Sequence, residues 1–540
     1  MAENAKFGLA GGEVESDPLV ATRQSQSFSY DYKSGSKNRT LWIVAVVVLV
    51  AVALVVVIGV AAGVTVAANS QAQLENSIKI ENLMAHLKDL EDIAVANSNS
   101  RAVMYGYNES AEQVFEKLQN AGYTNLTRQY FKMATYENHG DHTLSAEILN
   151  YTFNFELGTQ FNVMRYSGAT GGVISGTLNI VTGCNESDFT DNTVALIDYS
   201  KCPSLFDVAS AAKSAGVIAL LMTRTDDETY RSSPPTARVY EQTADDFKVV
   251  DLPLLGTNYN VGDLLKDFNP QGDITVSLSV NMMVDFYMTY NILAYTDGGS
   301  EDSIIVVGSH LDSVPAGPGI NDNGSGSMAN LEIALQLIRR GTNPENKVLF
   351  AFWAAEEWGL MGSYHYVKSL PESAYGEIAL NLNFDMIGSP NYIRQIYNGS
   401  DAENPLVREA SITIQELFVE RFKSLELPYK LTPFTGRSDY GPFIESGVDI
   451  PAGGLATGAD ETKTREDQLM FGGLAGAILD PCYHQYCDTT DNINQEVYEQ
   501  MAQAAASVLN TLMMKDNLKG FLNPSEYMYD YVLEDVDGDI

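Results

Sequence analysis

The spacing of apolar residues divides this 540-residue chain into segments of different character. An early segment repeats apolar residues at helical spacing and predicts two helices, broken near Asn97–Ser100. After Leu149 the apolar runs are short and rich in β-branched residues, which predicts a mostly-β insert. Beyond the insert, strands alternate with helices as in a doubly wound α/β sheet. The predicted segments are a disordered tail at 1–40, an apolar span at 41–68, a helical part of the α/β domain at 69–149, the β insert at 150–285, the main part of the α/β domain at 286–516 and an acidic tail at 517–540.

The span from Leu41 to Ala68 holds 28 residues without a charge. As a helix it would be about 42 Å long, enough to cross a hydrocarbon core of about 30 Å with some tilt. Lys33, Lys37 and Arg39 precede it, so the N-terminus is expected in the cytosol. A cleaved signal peptide is the alternative, but the run is too long for one. The prediction is a single-pass type II membrane protein whose bulk faces the lumen of a vacuole-like or lysosome-like compartment, or the cell exterior.

Cysteines, glycosylation motifs and charge bear on the same assignment. Four cysteines, an even number, fit an oxidising compartment, where Cys184 would pair with Cys202 and Cys482 with Cys487. A net charge of −37 excludes nucleic acid as a partner, because phosphate binding needs clustered Lys and Arg. Sequons suited to a glycoprotein stand at Asn108, Asn125, Asn150, Asn185 and Asn398.

Histidines and carboxylates follow the apolar runs that read as strands. The stretch Ser309–Ser327 places His310, Asp312 and Asp322 directly after one run, Glu356 and Glu357 follow a second, Asp385 follows a third, and His484 comes later. Side chains at the carboxyl ends of sheet strands meet in one crevice. Carboxylates this close together need positive charge, and no Lys or Arg is interleaved with them. One or two divalent cations would supply it, and nitrogen with oxygen ligands suits zinc, with cobalt or manganese as alternatives.

Each motif also has a simpler interpretation. His310 and Asp312 resemble a buried histidine followed by a turn residue, although Asp312 could instead accept from the second ring nitrogen of a metal-bound His310. The glycine-rich loop lacks the Lys-Ser/Thr of a phosphate-binding loop. The pair Glu356-Glu357 could be solvated, but the apolar run before it argues otherwise. Cys482 and Cys487 could bind zinc with His484, but in an oxidising lumen a short disulfide is expected.

Five stretches together resemble peptidase family M28, a family of co-catalytic zinc aminopeptidases, over roughly residues 291–494. They are SHLDSVPAGPGINDNGSGS, WAAEEWGLMGS, NFDMIGSPN, TGRSDYGPF and DPCYHQYCDTTDN. The resemblance implies a zinc exopeptidase fold with a mixed sheet, and the β insert looks like a protease-associated domain. It further implies that Asp322 bridges two zinc ions, with His310 and Asp385 on one ion and Glu357 and His484 on the other.

The resemblance also implies roles in catalysis. A zinc-activated hydroxide would attack the N-terminal peptide bond of substrates with a free N-terminus, with Glu356 as general base. Arg437 and Tyr483 would assist the carbonyl and its oxyanion, Asp312 would orient His310, and the Asp322-Asn323 peptide would be cis. Alternatives are a carboxypeptidase or a glutaminyl cyclase on the same fold, and an inactive membrane receptor of transferrin-receptor type. The receptor is disfavoured, because every metal-ligand position of the family's motifs holds a ligand residue in this sequence.

Overall fold

A computed structural model describes residues 74–225, 228–244 and 246–523 of the chain. The predicted cytosolic tail at 1–40, the predicted membrane span at 41–68 and most of the acidic tail lie outside the described residues. Within the described part, no helix combines the length and apolarity needed to cross a bilayer.

The strands of the described chain define two large sheets and one short pair. In chain order they are β1 Asn125–Asn138, β2 Thr143–Ile148, β3 Tyr151–Asn154, β4 Phe161–Val163, β5 Ile174–Val181, β6 Thr193–Asp198, β7 Ala219–Thr223, β8 Tyr240–Gln242, β9 Phe247–Val249, β10 Leu254–Thr257, β11 Thr275–Ser279, β12 Met282–Tyr295, β13 Ser300–His310, β14 Asn346–Trp353, β15 Ile378–Phe384, β16 Gln395–Tyr397, β17 Lys430–Thr432 and β18 Ala452–Ala456.

The helices lie mainly outside the insert region. In chain order they are α1 Ile80–Ala96, α2 Tyr107–Ala121, α3 Leu205–Ser214, α4 Tyr259–Phe268, α5 Gly326–Arg339, α6 Met361–Ser369, α7 Glu372–Tyr375, α8 Pro405–Ser424, α9 Gly441–Ile444, α10 Arg465–Phe471, α11 Gln495–Met513 and α12 Leu518–Leu522.

The first large sheet contains the strands that precede the predicted ligand residues. Its eight strands run in the order β1-β12-β14-β13-β15-β18-β16-β17. Neighbours from β14 to β18 are parallel, whereas β1, β12 and β14 pair antiparallel, so the sheet is mixed. The apolar stripe predicted on α5 is buried at Met328, Leu331 and Leu335, in a core shared with α1, α2, α8 and α11. A second core with Trp353 and Tyr366 covers the opposite face. Covered faces on both sides agree with the predicted α/β class.

The second large sheet is formed by the insert region. Its order is β3-β2-β11-β5-β6-β7-β10-β4, with parallel pairs from β5 to β10 and antiparallel pairs outside them. Its strands extend from Thr143 to Ser279, and helices α3 and α4 pack against it. The sequence pattern predicted strands here but not these two helices, because short helices of ten residues leave a weak periodic signal.

A long antiparallel pair connects the two sheets. Strands β1 and β12 are each 14 residues long and pair from Asn125 with Tyr295 to Asn138 with Met282. Aromatic rings pack where the insert meets the first sheet: Tyr136 of β1 lies 5.0 Å from Tyr166 and 5.4 Å from Trp358, between ring centroids. Tyr166 is fully buried there.

Candidate active site

Three adjacent parallel strands deliver the predicted site residues to one edge of the first sheet. Strand β13 lies between β14 and β15 and ends at His310. Glu356 and Glu357 follow the end of β14, and Asp385 is the residue after β15. Because these strands are parallel, their carboxyl ends lie side by side and form the crevice expected from the sequence.

Asp322 reaches the crevice from the tight turn Ile320–Ser325 between β13 and α5. The peptide between Asp322 and Asn323 is cis, as the resemblance implied. The carboxylate of Asp488 fixes the turn by accepting hydrogen bonds from the backbone nitrogens of Asn321 at 2.9 Å and of Asp322 at 3.0 Å. The Asn323 side chain is buried, donates to the backbone oxygen of Phe384 at the end of β15 and accepts from the backbone nitrogen of Met386.

The five predicted ligands form two groups that share Asp322. Nε2 of His310 lies 3.3 Å from Oδ1 of Asp322 and 3.4 Å from Oδ1 of Asp385. Nε2 of His484 lies 3.1 Å from Oδ2 of Asp322 and 3.2 Å from Oε2 of Glu357. Ligand atoms around a tetrahedral zinc ion with bonds of about 2.0 Å lie about 3.3 Å apart, so both groups have the spacing of a zinc site.

His484 enters the site on a loop closed by a disulfide. Cys482 and Cys487 are bonded, and Cys184 and Cys202 form the second disulfide, so both predicted pairs are present. A free cysteine is absent from the described residues. The disulfide rules out these thiols as zinc ligands and restrains the loop that presents His484.

The pKa values of the acidic residues in this cluster indicate that a bound cation would stabilise it. Burial raises the pKa of Glu357 to about 7 and, with Glu357 and Asp439 nearby, raises that of Glu356 well above its usual range. Burial opposes ionisation of His484 as well, but hydrogen bonds to Asp322 and Glu357 raise its pKa to about 10. Oε1 of Glu357 is buried and has no hydrogen-bond partner among the described residues. An orphaned carboxylate oxygen beside a histidine fits a site for a divalent cation.

Asp312 contacts both the segment after β14 and the ring of His310. Its carboxylate accepts from the backbone nitrogens of Glu356 at 3.1 Å and of Glu357 at 3.4 Å, and thereby holds the segment after β14. Nδ1 of His310 lies 3.2 Å from the backbone oxygen of Asp312 and 3.6 Å from its Oδ1. The second ring nitrogen of His310 therefore meets both the main chain and the side chain of this residue.

Two residues that support the site were not predicted from the sequence. Arg101 is fully buried and donates to the backbone oxygens of Leu311, Pro318 and Gly319, which fixes the loop between His310 and Asp322. Burial lowers its pKa to about 10, which leaves it charged at neutral pH. Ser438 donates to Oδ2 of Asp385 at 2.6 Å. No local motif marks either contact, although Ser438 lies inside the stretch TGRSDYGPF.

Two cavities open onto the cluster of predicted ligands, and both are lined by Arg437 and Tyr483. The smaller, about 140 Å³, lies beside Asp385 and has walls from Tyr397 and Tyr440. The larger, about 670 Å³, extends from the Glu357 side toward the insert. The ring of Tyr483 stacks on His484 with 3.8 Å between centroids. Arg437 and Tyr483 thus stand where the two cavities meet the cluster.

Comparison with known proteins agrees with this geometry. The family model of Peptidase family M28 matches residues 291–509. An aminopeptidase of Pseudomonas aeruginosa is 36% identical over 456 residues, 82% of this chain and 82% of that protein. Leucine aminopeptidase 2 of Trichophyton tonsurans is 34% identical over 433 residues, 79% of this chain and 82% of that protein.

Among solved structures, an aminopeptidase from Aneurinibacillus sp. strain AM-1 shares the fold, with a TM-score of 0.59 and 21% identity over 83% of this chain and 97% of that one. The predicted resemblance is therefore confirmed. The sequence matches extend over most of the chains compared, so this chain belongs to Peptidase family M28 and is an aminopeptidase of that family.

Proposed function

We propose that this aminopeptidase uses two zinc ions, one held by His310, Asp322 and Asp385 and the other by Asp322, Glu357 and His484. The proposal is supported above all by Asp322, whose two carboxylate oxygens face two different pairs of a histidine and a carboxylate. When bound, the ions would lower the pKa of a water molecule and polarise the scissile carbonyl. Two nitrogen and three carboxylate ligands suit zinc better than magnesium or calcium, which prefer oxygen alone.

Glu356 is the proposed general base. It neighbours the ligand Glu357 but belongs to neither ligand group, and its side chain lines the larger cavity. Burial raises its pKa well above the usual range of a glutamate. A carboxylate of raised basicity takes a proton from attacking water and returns it to the departing amine.

Tyr483 and Arg437 are the proposed donors to the developing oxyanion. Both line the two cavities at their junction with the cluster. Burial raises the pKa of Tyr483, as do Asp322 and Glu357, so its hydroxyl keeps its proton at neutral pH. A hydroxyl and a guanidinium fixed beside the scissile carbonyl stabilise negative charge on its oxygen as the bond breaks.

The substrate is proposed to be a peptide with a free N-terminus. Its ammonium group would lie beside Asp385 and Glu356, because both are carboxylates at the cluster, and its first side chain would enter the smaller cavity. The chain beyond the scissile bond would then extend into the larger cavity. An acetylated N-terminus would lose the charge that these carboxylates attract.

The test uses the purified full-length chain, its zinc content and a panel of aminoacyl-arylamides. We expect two zinc ions per chain, hydrolysis that a chelator abolishes and zinc restores, and no cleavage of an N-acetylated peptide. Glu356→Gln should retain zinc and lose activity by about 100-fold or more. Glu372→Gln, at an exposed position of α7, is the matched control and should behave like the parent.

Other outcomes identify the alternatives. A zinc-loaded chain that is silent on arylamides, but removes C-terminal residues or cyclises N-terminal glutamine, would replace the proposal by one of those reactions. A folded chain that binds no zinc would contradict it and favour a receptor without catalytic activity.

We also propose that the protein is a type II membrane protein with its catalytic domain lumenal or extracellular, and that its insert is a protease-associated domain. The uncharged span at 41–68, the preceding cations and the two disulfides support the topology. Four of the five sequon asparagines, all but Asn398, are exposed. In membrane vesicles, protection of the catalytic domain from added protease and a glycosidase-sensitive mass would support this topology, and cleavage of the domain in sealed vesicles would contradict it.

A further inference from the structure

The larger cavity has two walls of different origin. Part of its lining comes from the catalytic domain and includes Glu356, Glu357 and His484, whereas another part comes from the insert, through Arg165 and Arg238. These arginines take no part in the proposed metal binding or proton transfer. Their presence in the lining of the proposed substrate cavity suggests a contribution to substrate choice.

The backbone holds the two arginines side by side. Arg165 and Arg238 form an isolated parallel bridge, in which the nitrogen of Val239 donates to the oxygen of Arg165 at 3.2 Å. The residue after Arg165 is Tyr166, whose buried ring packs against Tyr136 of the first sheet with 5.0 Å between centroids. Arg165 is thus tied to the catalytic domain through its neighbour.

Arg238 also fits closely against the catalytic domain. A Cβ at Gly359 would lie 3.1 Å from Cζ, Nε and Nη1 of Arg238, so the guanidinium rests on the bare backbone of this glycine. Gly359 has a φ of +118°, a conformation that favours glycine. It stands two residues after the ligand Glu357, which places a positive charge close to the metal-ligand segment.

Neither arginine is neutralised within the described part of the chain. No described carboxylate lies within ion-pair distance of Arg165 or Arg238, and neither guanidinium stacks on a described aromatic ring. The chain has 70 acidic residues against 33 basic ones, so the lack of an acidic partner for these two arginines does not reflect a shortage of carboxylates. Like charges held at directly paired positions repel each other. A bound anion would relieve this repulsion and would satisfy the donors of both groups.

The anion offered by a peptide is a carboxylate. The N-terminal ammonium is repelled by this wall and belongs on the Asp385 side, so the anion must come from the part of the substrate beyond the scissile bond. We propose that Arg165 and Arg238 bind a substrate carboxylate in the larger cavity and make the enzyme selective for peptides that place one there. This inference rests on the proposed function, because it takes the larger cavity as the site of the leaving peptide. The carboxylate is either the C-terminus of a short peptide or an acidic side chain.

The experiment compares kcat/KM for two pairs of substrates with the full-length zinc-loaded enzyme. Leu-Gly-Gly and its C-terminal amide differ only in the terminal carboxylate, and Leu-Asp-Gly-amide and Leu-Asn-Gly-amide differ only in a side-chain carboxylate. We expect the parent to have a kcat/KM about 10- to 100-fold higher for the acid than for the neutral member of one pair. This is the size of effect expected from a hydrogen bond to a charged group. The pair that shows the preference identifies the source of the carboxylate.

Arg165→Met and Arg238→Met should each reduce that ratio toward one. Arg238 is exposed, so its replacement tests the proposal even if the half-buried Arg165 proves important for folding. Arg339→Met, which removes an exposed arginine outside the cavity, should keep the parental ratio. Arg238→Lys, which keeps the charge, should recover part of it.

Three results would overturn the inference. Parental ratios near one for both pairs, with the amides still hydrolysed, would contradict the carboxylate site and leave the proposed function intact. A parental preference that survives in Arg238→Met would place the selectivity elsewhere. If no peptide or arylamide is hydrolysed by the zinc-loaded enzyme, the proposed function itself fails, and this inference fails with it.

Discussion

Oγ of Ser438 donates a hydrogen bond of 2.6 Å to Oδ2 of Asp385, and the other oxygen of that carboxylate lies 3.4 Å from Nε2 of His310. Ser438 in turn accepts from Asn383 at 2.8 Å. Asp385 is therefore oriented from the side opposite to its proposed zinc ion. Hydrogen-bond partners of this kind fix metal ligands in place.

Replacing Ser438 should weaken metal binding more than it weakens the fold. We expect Ser438→Ala to lower zinc affinity by about 10- to 100-fold, because Asp385 loses the donor that orients it. Titration against a competing chelator measures the affinity. Ser438→Thr retains the hydroxyl and should lie close to the parent. Parental affinity in Ser438→Ala would show that the rest of the crevice orients Asp385 without this contact.

The disulfide between Cys482 and Cys487 should matter for metal affinity because it closes the loop that carries His484. Cys482→Ser with Cys487→Ser should lower the affinity of one of the two zinc ions by about tenfold, since His484 is then less restrained. The other disulfide, Cys184–Cys202, lies in the insert, and its double serine variant is the matched control. Equal zinc titration curves for the two variants would contradict this expectation.

Arg101 should stabilise the fold through the loop after β13. Its removal leaves the backbone oxygens of Leu311 and Pro318 without a donor in a buried environment, while that of Gly319 keeps the bond from the Gly324 nitrogen. We expect Arg101→Met to reduce the free energy of unfolding by about 3 kcal/mol or more. Urea denaturation measures the change, with the exposed Arg339→Met as control. A loss below about 1 kcal/mol would mean that water or rearranged side chains replace these hydrogen bonds.

Glu332 should make stability depend on pH. It is buried on α5 and accepts hydrogen bonds from Asn82 at 2.7 Å and Gln336 at 2.8 Å, with His86 at 3.2 Å. Burial opposes its charge, but these partners, His86 first among them, hold its pKa below the ordinary value of 4.5. A lowered pKa in the folded state means that the stabilisation is present above 4.5 and is lost as the pH falls through the folded value.

The corresponding variant is Glu332→Gln. We expect it to cost about 1–3 kcal/mol at neutral pH, and we expect the difference from the parent to shrink in acid. Unfolding of both proteins at a series of pH values gives this difference directly. Glu81→Gln, at an exposed position of α1, is the control. A difference that is constant from neutral to acid pH would show that charge on Glu332 is not what matters.

The sequence predicted the strands that carry the proposed ligands because the signals of these strands are local. The apolar runs before His310, Glu356 and Asp385 became β13, β14 and β15, and parallel strands in one sheet must end at the same edge. The sharing of Asp322 came from the family resemblance. Its geometry required a turn that no periodicity could describe.

Other parts of the site depend on contacts between distant segments. Arg101 follows a predicted break between helices, and nothing near it in sequence indicates that it reaches the carbonyls of residues 311–319. The proposed role of Arg238 could not be predicted from the sequence, because it depends on the packing of the insert against Gly359. Such contacts follow from packing between elements, which a single sequence does not encode in any short window.

The pairing of β1 with β12 has a consequence for how this architecture can vary. The last pair of their register joins Asn138 to Met282, so the insert leaves and rejoins the catalytic sheet at neighbouring points. A short hairpin could bridge that gap with little extra loop-closure entropy, so closing the chain does not require the insert, although its excision would expose the Tyr136 ring on which Tyr166 packs. An enzyme so shortened would lack Arg165 and Arg238 but keep every proposed zinc ligand. The residues that determine the proposed selectivity would then lie in a separate insert, which could change without changing the proposed zinc ligands.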